Sequence, residues 1–272
     1  MPERRKGMKN LNNKTIWITG ASSGIGEALA KQLSQLDVNL ILSARGEQEL
    51  IRVKSECQNT GRIKILPLDL ADTNSHAAKT SEAIEAFGQV DILINNGGRS
   101  QRSLIKDTIL QVDRDLMEVN YFGSVSLTKQ LLPHMMNRGE GHFVVVTSLT
   151  GIFGTPYRSG YAASKHALHG FYDSMRAELE DSGIKVTIAA PGFVKTNVSV
   201  NAFQGDGQSL GKMDDAQANG LSAEQCAAKI IKAIKRQKRE VYIGAESYAA
   251  YVNVKRFLPG LFARMIKRAK VR

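Results

Sequence analysis

Residues 14–29 of the chain, KTIWITGASSGIGEAL, contain the pattern that decides the fold. The run up to Thr19 is short and apolar, which is typical of a strand buried on both faces of a parallel sheet. Glycines follow at Gly20, Gly24 and Gly26, where a strand would turn into a helix. Because glycine has no Cβ, the backbone there can approach a pyrophosphate, which the N–H groups and dipole of a helix N-terminus favour. The stretch predicts a nucleotide-binding strand–turn–helix unit, although a purely structural turn stays open on this motif alone.

Strand and helix patterns alternate along most of the chain. Seven strands are predicted, at residues 14–19, 38–43, 62–67, 90–95, 142–148, 184–190 and 240–244. Between them, apolar residues recur at the i, i+3, i+4 and i+7 spacing of a helix with one buried face. Such alternation gives right-handed crossovers between parallel strands. The predicted fold is therefore α/β: a single-domain, doubly wound (Rossmann) sheet of seven parallel strands with helices on both faces.

The predicted domain organisation is one catalytic domain with two extensions. Residues 1–13 are taken as an N-terminal extension, within which Met8 is an alternative start, and residues 14–244 as the Rossmann domain. Residues 245–272 form a basic, amphipathic, helical C-terminal extension. The one long irregular stretch, residues 198–220, is polar and glycine-rich, and loops of that length are usually functional or mobile.

Composition indicates an ordinary globular protein. Of 272 residues, 42% are hydrophobic and 23% charged, which supplies a core without indicating disorder. Cys57 and Cys226 lack a metal-type spacing and are expected to be free thiols in a reducing compartment. No apolar signal region or run of about 18 apolar residues is present, so the expected location is the cytoplasm. His166 and His169 lie three apart on the predicted helix that carries Tyr161; they are expected to be structural, and no metal is predicted.

The net charge of +11 lies in the C-terminal segment. Residues 229–272 contain thirteen Lys and Arg and two acidic residues, whereas the remainder is balanced. An apolar stripe at helical spacing comprises Val254, Phe257, Leu258, Leu261, Phe262, Met265 and Ile266, flanked by Lys255, Arg256, Arg264, Lys267 and Arg268. Pro259 is expected to begin a second helical segment. The favoured interpretation is docking on the protein's own substrate cleft or a partner subunit, with weak peripheral membrane contact as the alternative; no nucleic-acid partner is predicted.

A serine, a tyrosine and a lysine form the predicted catalytic group. Ser148 ends the fifth predicted strand, and Tyr161 and Lys165 follow at i and i+4 on one helix face. Reducing a ketone creates an alkoxide that needs a proton donor, and a nearby cation favours the phenolate of a tyrosine whose ordinary pKa is about 10. The spacing alone is weak evidence, since Tyr251 and Lys255 repeat it without a serine thirteen residues earlier.

These motifs, with Asn95-Asn96-Gly97-Gly98 and Pro191-Gly192-x3-Thr196, resemble the short-chain dehydrogenase/reductase family, main single-domain branch, and most of all its dehydrogenase/reductase member 7B-like proteins. The resemblance runs from residue 14 to 244. The family more often has alanine where this chain has Gly97. The resemblance assigns Asn120 a water-mediated proton relay with Lys165, and to Lys165 also the nicotinamide ribose. The cofactor contacts that it implies are Gly20, Ser22, Ser23, Gly24, Ile25, Gly26, Asp69, Leu70, Asn95, Gly97, Tyr161, Lys165, Pro191, Gly192, Val194 and Thr196.

The end of the second strand predicts NADP(H) rather than NAD. An acidic residue there would hold a ribose 2′-hydroxyl, whereas positive charge suits a 2′-phosphate. The chain has Ser43 and Arg45 at this position and no acid at the strand end. Arg45 can bind a phosphate in a bidentate manner and Ser43 can donate a hydrogen bond.

The expected function is NADP(H)-dependent hydride transfer between the nicotinamide and a carbonyl or secondary alcohol, with Tyr161 as acid and base. The resemblance implies a bulky apolar, lipid- or steroid-like substrate and a homodimer or homotetramer. The alternative is an NADPH-binding regulatory or membrane-surface protein with vestigial catalysis. Physiological substrate and direction stay open.

Overall fold

A computed structural model describes residues 10–244 and 246–267, without the side chains of residues 246–250. The strands are β1 (Thr15–Thr19), β2 (Asn39–Ser43), β3 (Ile63–Ile65), β4 (Ile92–Asn95), β5 (Gly141–Val146), β6 (Ile184–Pro191), β7 (Val194–Lys195), β8 (Leu221–Ser222) and β9 (Glu240–Ile243). Met8 and Arg268 lie outside the described residues, and the three-part domain division stays a prediction.

Helices occupy most of the connections between strands. They are α1 (Gly24–Leu33), α2 (Glu47–Ser55), α3 (His76–Glu85), α4 (Leu110–Met117), α5 (Gly123–Arg138), α6 (Ser159–Glu178), α7 (Asp215–Ala218), α8 (Ala223–Lys235), α9 (Glu246–Phe257) and α10 (Pro259–Lys267). A capping box begins α8, where Ser222 and Gln225 exchange side-chain and backbone hydrogen bonds and so satisfy donors that the first turn leaves open.

Seven strands form one sheet in the order β3-β2-β1-β4-β5-β6-β9, and every pairing is parallel. This confirms the predicted doubly wound sheet. The order reverses at β1, which has β2 on one side and β4 on the other. In such sheets ligands bind outside the carboxyl ends of the strands at this point. The glycine turn and the loop after β4 both begin there.

The strands bury side chains on both faces, which explains their continuous apolar sequences. In β1, Ile16 and Ile18 belong to the core beneath α1 and α8, while Trp17 belongs to the opposite core beneath α5 and α6. In β2, Leu42 and Ile41 divide in the same way. All five side chains are fully buried.

Every strand boundary lies within two residues of its predicted position, and two strands end two residues earlier than predicted. β3 ends at Ile65, so the predicted residues 66 and 67 continue outside it. β5 ends at Val146, two residues before Ser148. The backbone N–H of Thr147 still donates to Ala189 O on β6 at 2.7 Å. The chain thus stays beside the sheet until Ser148, which lies at the sheet edge rather than within the strand.

The C-terminal helices pack over the carboxyl end of the sheet. Pro259 occupies the first position of α10, as predicted. Phe262 of α10 is buried, and its ring meets that of Phe153 edge-on with centroids 5.5 Å apart. Phe257 and Leu258, by contrast, are 71% and 54% exposed. Over the described part of the chain, no helix combines the length and apolar character that crossing a membrane requires.

Candidate active site

The glycine turn brings backbone very close to backbone. Gly20 and Gly24 adopt φ of +63° and +56°, a left-handed region that glycine enters without steric cost. A Cβ on Gly26 would lie 2.1 Å from the carbonyl oxygen of Gly20. Ser23 occupies the N-cap of α1 in extended backbone and does not cap the helix with its side chain. The turn therefore forms a cradle of backbone N–H groups with Ser22, Ser23 and Ile25 along it, which fits a phosphate group.

Asn96 ties this turn to the loop after β4. Its side-chain amide donates to Thr19 O at 3.0 Å and to Gly20 O at 3.2 Å. The hydroxyl of Thr19 in turn accepts from the backbone N–H groups of Asn96 and Gly97, both at 3.1 Å. Sequence reasoning gave Asn96 no separate role, although the Asn-Asn doublet was its visible signal. Asn96 is a positioning residue for the glycine turn.

The first asparagine of the doublet has a different environment. Asn95 is 1% exposed, and its amide donates to Thr128 Oγ1 at 3.0 Å and to Tyr172 Oη at 2.9 Å. Its side chain faces the core, so a contact between Asn95 and a cofactor would have to use its backbone.

Leu70 and Gly97 lie against each other beside the groove. A Cβ on Gly97 would come within 2.5 Å of Leu70 Cδ1 and 3.3 Å of Gly20 N. Alanine, which the family more often has here, would push the flexible end of Leu70 aside. Asp69, which precedes Leu70, is exposed, and its side-chain carboxylate accepts a hydrogen bond from the backbone N–H of Ala71 at 3.0 Å.

The two residues predicted to select the cofactor, Ser43 and Arg45 at the end of β2, have different environments. Arg45 is exposed, and within the described residues it forms no salt bridge. Ser43 is fully buried, and its hydroxyl accepts a hydrogen bond from Trp17 Nε1 at 2.8 Å. This geometry does not support the expected hydrogen bond from Ser43 to a 2′-phosphate. Arg99 is a second cation close to Arg45. Burial lowers the pKa of Arg99 most, and the positive charge of Arg45 lowers it further.

Ser148 and Tyr161 meet at the carboxyl end of β5. Ser148 Oγ accepts from Thr150 N at 3.2 Å and from Thr150 Oγ1 at 2.9 Å, and its hydroxyl lies close enough to the Tyr161 phenol to lower the pKa of that group. Ser148 in turn donates to Pro191 O at 3.4 Å. These partners fix the serine hydroxyl beside the phenol. The pair can present two hydroxyl groups to one oxygen atom of a ligand.

Burial, rather than the neighbouring lysine, dominates the ionisation of Tyr161. Burial raises its pKa, while the hydrogen bond with Ser148 and the charges of Arg158 and Arg102 lower it. Lys165 is itself buried, which lowers its pKa to about 8, and Nζ donates to Val146 O at 3.0 Å. Nζ lies 5.8 Å from the centroid of the Tyr161 ring. Arg158 and Arg102 are thus charges near Tyr161 that sequence reasoning did not expect, and the predicted effect of Lys165 on Tyr161 stays a prediction.

Asn120 lies in a π-helical turn, Glu118–Phe122, between α4 and α5. Such turns occur often at functional sites. Its carbonyl oxygen accepts from Arg99 N at 2.7 Å, and its amide donates to Arg99 O and to Ser164 Oγ, both at 2.9 Å. Asn120 therefore joins the loop after β4 to the helix that carries Tyr161 and Lys165. Its relay role stays a prediction.

The loop after β6 closes the other side of the groove. Gly192 N donates to Ile243 O at 2.7 Å, and Val194 pairs with Leu221 in the short β7–β8 ladder. Thr196 reaches the glycine turn, since a Cβ on Gly24 would lie 2.9 Å from Thr196 Cγ2. The predicted residues from Pro191 to Thr196 are thereby brought to the same groove as the first glycines.

A cavity of about 170 Å³ opens beside Ser148 and Tyr161, far larger than the 10–15 Å³ or so that one water needs. Apolar side chains on its wall include Leu149, Phe153, Val198, Tyr251 and Ile266. Arg102 and Arg158 also line it. Sequence reasoning identified neither arginine, and no motif or spacing could have indicated them.

Asp214 holds these arginines together. Arg102 Nε donates to Asp214 Oδ2 at 2.7 Å, and Arg158 Nη2 lies 3.8 Å from the same oxygen. All three residues are buried. The predicted loop 198–220 is thus anchored to the site rather than independent of it: Phe203 also exchanges backbone hydrogen bonds with Ser100 and Arg102, both at 2.8 Å.

Comparison with known proteins gives the class that this fold and site define. The short chain dehydrogenase family profile matches residues 14–207, and the chain belongs to that family, a family of oxidoreductases with a nicotinamide cofactor. It is 44% identical to human dehydrogenase/reductase SDR family member 7, covering 92% of this chain and 75% of the relative. Identity to mouse member 7B is 40%, covering 98% and 85%. The predicted likeness to this branch is confirmed.

Solved structures agree with the fold. A short-chain dehydrogenase from Streptomyces avermitilis superposes with a TM-score of 0.79 at 26% identity, covering 94% of this chain and 96% of that one. A short chain dehydrogenase/reductase from Burkholderia phymatum, in complex with NAD, gives a TM-score of 0.82 at 23% identity, covering 93% and 96%. At this identity the second comparison shows the fold alone.

Proposed function

We propose that the protein is an NADP(H)-dependent oxidoreductase that transfers a hydride between the nicotinamide and a carbonyl or secondary alcohol of a bulky, largely apolar substrate. The observation that carries this proposal is that the hydroxyl groups of Ser148 and Tyr161 lie together on the wall of a cavity that is otherwise largely apolar. The groove that leads to it begins at a glycine cradle in which a Cβ at position 26 would collide with backbone, as expected for a pyrophosphate site.

When bound, the nicotinamide cofactor supplies or takes up the hydride. Tyr161 donates its proton to the carbonyl oxygen in reduction and takes it back in oxidation. Ser148 orients that oxygen through its own hydroxyl. Arg102 and Arg158 stabilise the phenolate that remains, which offsets part of the cost of burying it. Lys165, with Nζ 3.4 Å from the Cβ position of Gly98, faces the groove where a ribose would lie.

Arg45 supports NADP(H) over NAD(H). It is an exposed guanidinium at the end of β2 that the described residues leave outside any salt bridge, and Arg99 adds positive charge nearby. A 2′-phosphate carries about two negative charges, which a guanidinium can bind through paired hydrogen bonds. Ser43 takes no part in this selection.

The test is a titration of the protein with NADPH and with NADH, followed by cofactor fluorescence or calorimetry. Losing a charge-assisted hydrogen bond costs about 1.5–3 kcal/mol, so Arg45→Ala should weaken NADPH by about ten- to a hundredfold and leave NADH within about twofold. Arg114→Ala, at an exposed arginine on α4, is the matched control. Equal affinity for the two cofactors in the wild type would contradict the NADP(H) proposal.

The alternative is an NADPH-binding regulatory or membrane-surface protein. It is supported by the exposed Phe257, Leu258 and Leu261 beside Lys255 and Arg256, since basic amphipathic helices can bind anionic lipid surfaces. We place the protein in the cytoplasm, in keeping with two free, buried cysteines. We further propose weak membrane contact through this helix, and a homodimeric or homotetrameric state. Sedimentation with anionic vesicles, comparing wild type with Leu258→Glu, and light scattering test these two points.

A further inference from the structure

We propose that Gln101 is a positioning residue for Tyr161: its side chain caps the first turn of α6 from outside the helix and so fixes where the phenol stands beside Ser148. This inference rests on the proposed function, because it concerns the proton donor of the same reaction. Gln101 does not itself line the cavity, and it acts through the helix that carries Tyr161.

α6 begins without a side-chain cap from its own N-cap residue. The first backbone N–H groups of a helix have no partner within it, and a Ser, Thr, Asp or Asn at the N-cap usually accepts from the second or third of them. In α6 the N-cap residue is Arg158, whose side chain makes no capping hydrogen bond. An arginine side chain carries donors and no acceptor. The N–H groups of Gly160 and Tyr161 therefore need an acceptor from elsewhere in the chain.

Gln101 supplies that acceptor from a distant segment. Its Oε1 accepts from Gly160 N at 2.8 Å and from Tyr161 N at 3.3 Å, although 59 and 60 residues of chain lie between the partners. Gln101 is fully buried, and a buried backbone N–H that loses its partner is costly. One side-chain oxygen atom thus satisfies two donors in the turn that contains Tyr161.

The amide nitrogen of Gln101 is held as closely as the oxygen. Nε2 donates to Ser103 Oγ at 3.1 Å and to Thr108 Oγ1 at 3.2 Å, and a longer contact of 3.5 Å reaches Ser159 Oγ at the start of α6. The hydroxyl groups of Ser103 and Thr108 are also hydrogen-bonded to each other at 2.7 Å. Because backbone N–H groups can only donate, the oxygen of the carboxamide has to face α6. The side chain therefore has a single orientation.

The backbone of Gln101 belongs to the cavity wall. Phe203 N donates to Ser100 O and Arg102 N donates to Phe203 O, both at 2.8 Å, so the loop 198–220 pairs with the chain on either side of Gln101. Ser100 and Arg102 line the cavity, whereas the side chain between them bonds to α6. One residue thus joins the wall of the cavity to the first turn of the helix.

The position of this first turn decides where the phenol of Tyr161 lies, because Tyr161 is the third residue of α6. The turn also packs tightly on α4, since a Cβ on Gly160 would collide with Asp113 Oδ1. A misplacement of about 1 Å from the reacting geometry can lower a rate about a hundredfold. Loosening the cap should therefore affect the chemical step more than the binding of either ligand.

The test compares substitutions at Gln101 by following NADPH oxidation with benzil, a bulky aromatic diketone, as the probe. Gln101→Met keeps the length of the side chain and removes the acceptor. It should lower kcat about tenfold or more, while KM for benzil and Kd for NADPH stay within about threefold. Gln101→Glu keeps an oxygen acceptor, to which the hydroxyl groups of Ser103 and Thr108 can turn and donate, and should restore kcat to within about threefold of wild type.

Ser34→Ala is the matched control for a general loss of stability. Ser34 is 2% exposed and its hydroxyl accepts from Gln58 N at 3.0 Å, so this variant also takes a buried acceptor from a backbone N–H, but at the C-terminal end of α1. Its kcat should stay within about twofold of wild type. A wild-type kcat in Gln101→Met would overturn the inference, as would an equal loss of kcat in Gln101→Met and Gln101→Glu.

A second measurement needs no turnover. With ring-labelled tyrosine, NMR reports on the seven tyrosines of the chain, and Tyr161→Phe identifies the signal of Tyr161. That signal should move in Gln101→Met and stay in place in Ser34→Ala; a Tyr161 signal that Gln101→Met leaves in place would overturn the inference. This comparison decides if benzil is not reduced. If Gln101→Met does not fold, Gln101→Asn, whose acceptor is one methylene shorter, takes its place in both measurements.

The two proposals fail in distinguishable ways. Normal turnover in Gln101→Met would sink the positioning role and leave the reductase standing. Failure of the wild-type protein to bind NADPH would sink the reductase, and the NMR signal of Tyr161 would still decide the role of Gln101.

Discussion

The groove built from the glycine turn, Asn96 and the Pro191–Thr196 loop is here called the cofactor side. Close backbone approach and hydrogen bonds from the Asn96 side chain to the backbone hold it, within and between short motifs. The cavity built from Arg102, Arg158, Asp214 and α10, here the substrate side, is held by side chains from four distant segments. The cofactor side thus presents a shape that any nicotinamide dinucleotide requires. The substrate side presents charges and apolar surface that depend on this chain's own residues.

The two sides also differ in the way that a substitution would destabilise them. On the cofactor side the backbone segments approach so closely that no room is left for a Cβ, so a substitution there is expected to do steric damage. Buried charge on the substrate side makes errors there electrostatic. Variants can therefore be chosen to damage one side and leave the other intact.

The largest effect is expected where the two sides meet. Tyr161→Phe keeps the ring and removes the proton donor, so turnover should fall about a hundred- to ten-thousandfold while NADPH affinity is retained. Steady-state kinetics and cofactor titration measure the two quantities. Tyr242→Phe, at a half-exposed tyrosine on β9, is the control. A Tyr161→Phe variant with near-normal turnover would favour the regulatory alternative.

On the substrate side, Asp214→Asn should lower the free energy of unfolding by about 3–5 kcal/mol. Asparagine can still cap α7 as Asp214 does through Gln217 N at 2.8 Å, so the loss isolates the charge between Arg102 and Arg158. Urea denaturation measures it. The neighbouring Asp215 is exposed, and Asp215→Asn should change stability little. Equal losses in both variants would show that the cation pair does not need its carboxylate.

On the cofactor side, Gly26→Ala should weaken NADPH binding at least about tenfold and destabilise the fold by about 1–3 kcal/mol. The added methyl would lie 2.1 Å from Gly20 O, so the turn must open. Gly170→Ala, in α6 where a Cβ meets nothing within 4 Å, is the control. Full NADPH affinity in Gly26→Ala would mean that the turn is structural only.

The smallest effect concerns Lys165, whose pKa burial lowers from 10.5 to about 8. Between those values the unfolded chain binds a proton that the folded protein does not, so stability rises with pH; below about pH 8 both states are charged and the fold bears the cost of a buried ammonium. Lys165→Met should therefore be more stable than wild type by about 1–2 kcal/mol near pH 7 in the cofactor-free protein. Denaturation at neutral pH and near pH 10 should show this difference closing. A constant difference would contradict the assignment.

Sequence reasoning worked best where a function needs a fixed local geometry. The glycine spacing, the Tyr161–Lys165 pair and the strand segments are visible in residues a few positions apart, and the sheet contains the seven predicted strands. It did less well on side-chain direction. Ser43 and Asn95 stand at the expected positions, but hydrogen bonds to Trp17, and to Thr128 and Tyr172, direct their side chains into the core.

By itself the sequence determined the class of protein: an α/β oxidoreductase fold with a nucleotide turn and a Ser-Tyr-Lys group, because those features are periodic or short in range. Tertiary structure alone decided what surrounds Tyr161. Arg102 and Asp214 are 112 residues apart, and α10 reaches the cavity only by folding back over Phe153. Contacts of that separation depend on how the whole core packs, and it is this packing that places two cations rather than a wholly apolar wall beside Tyr161.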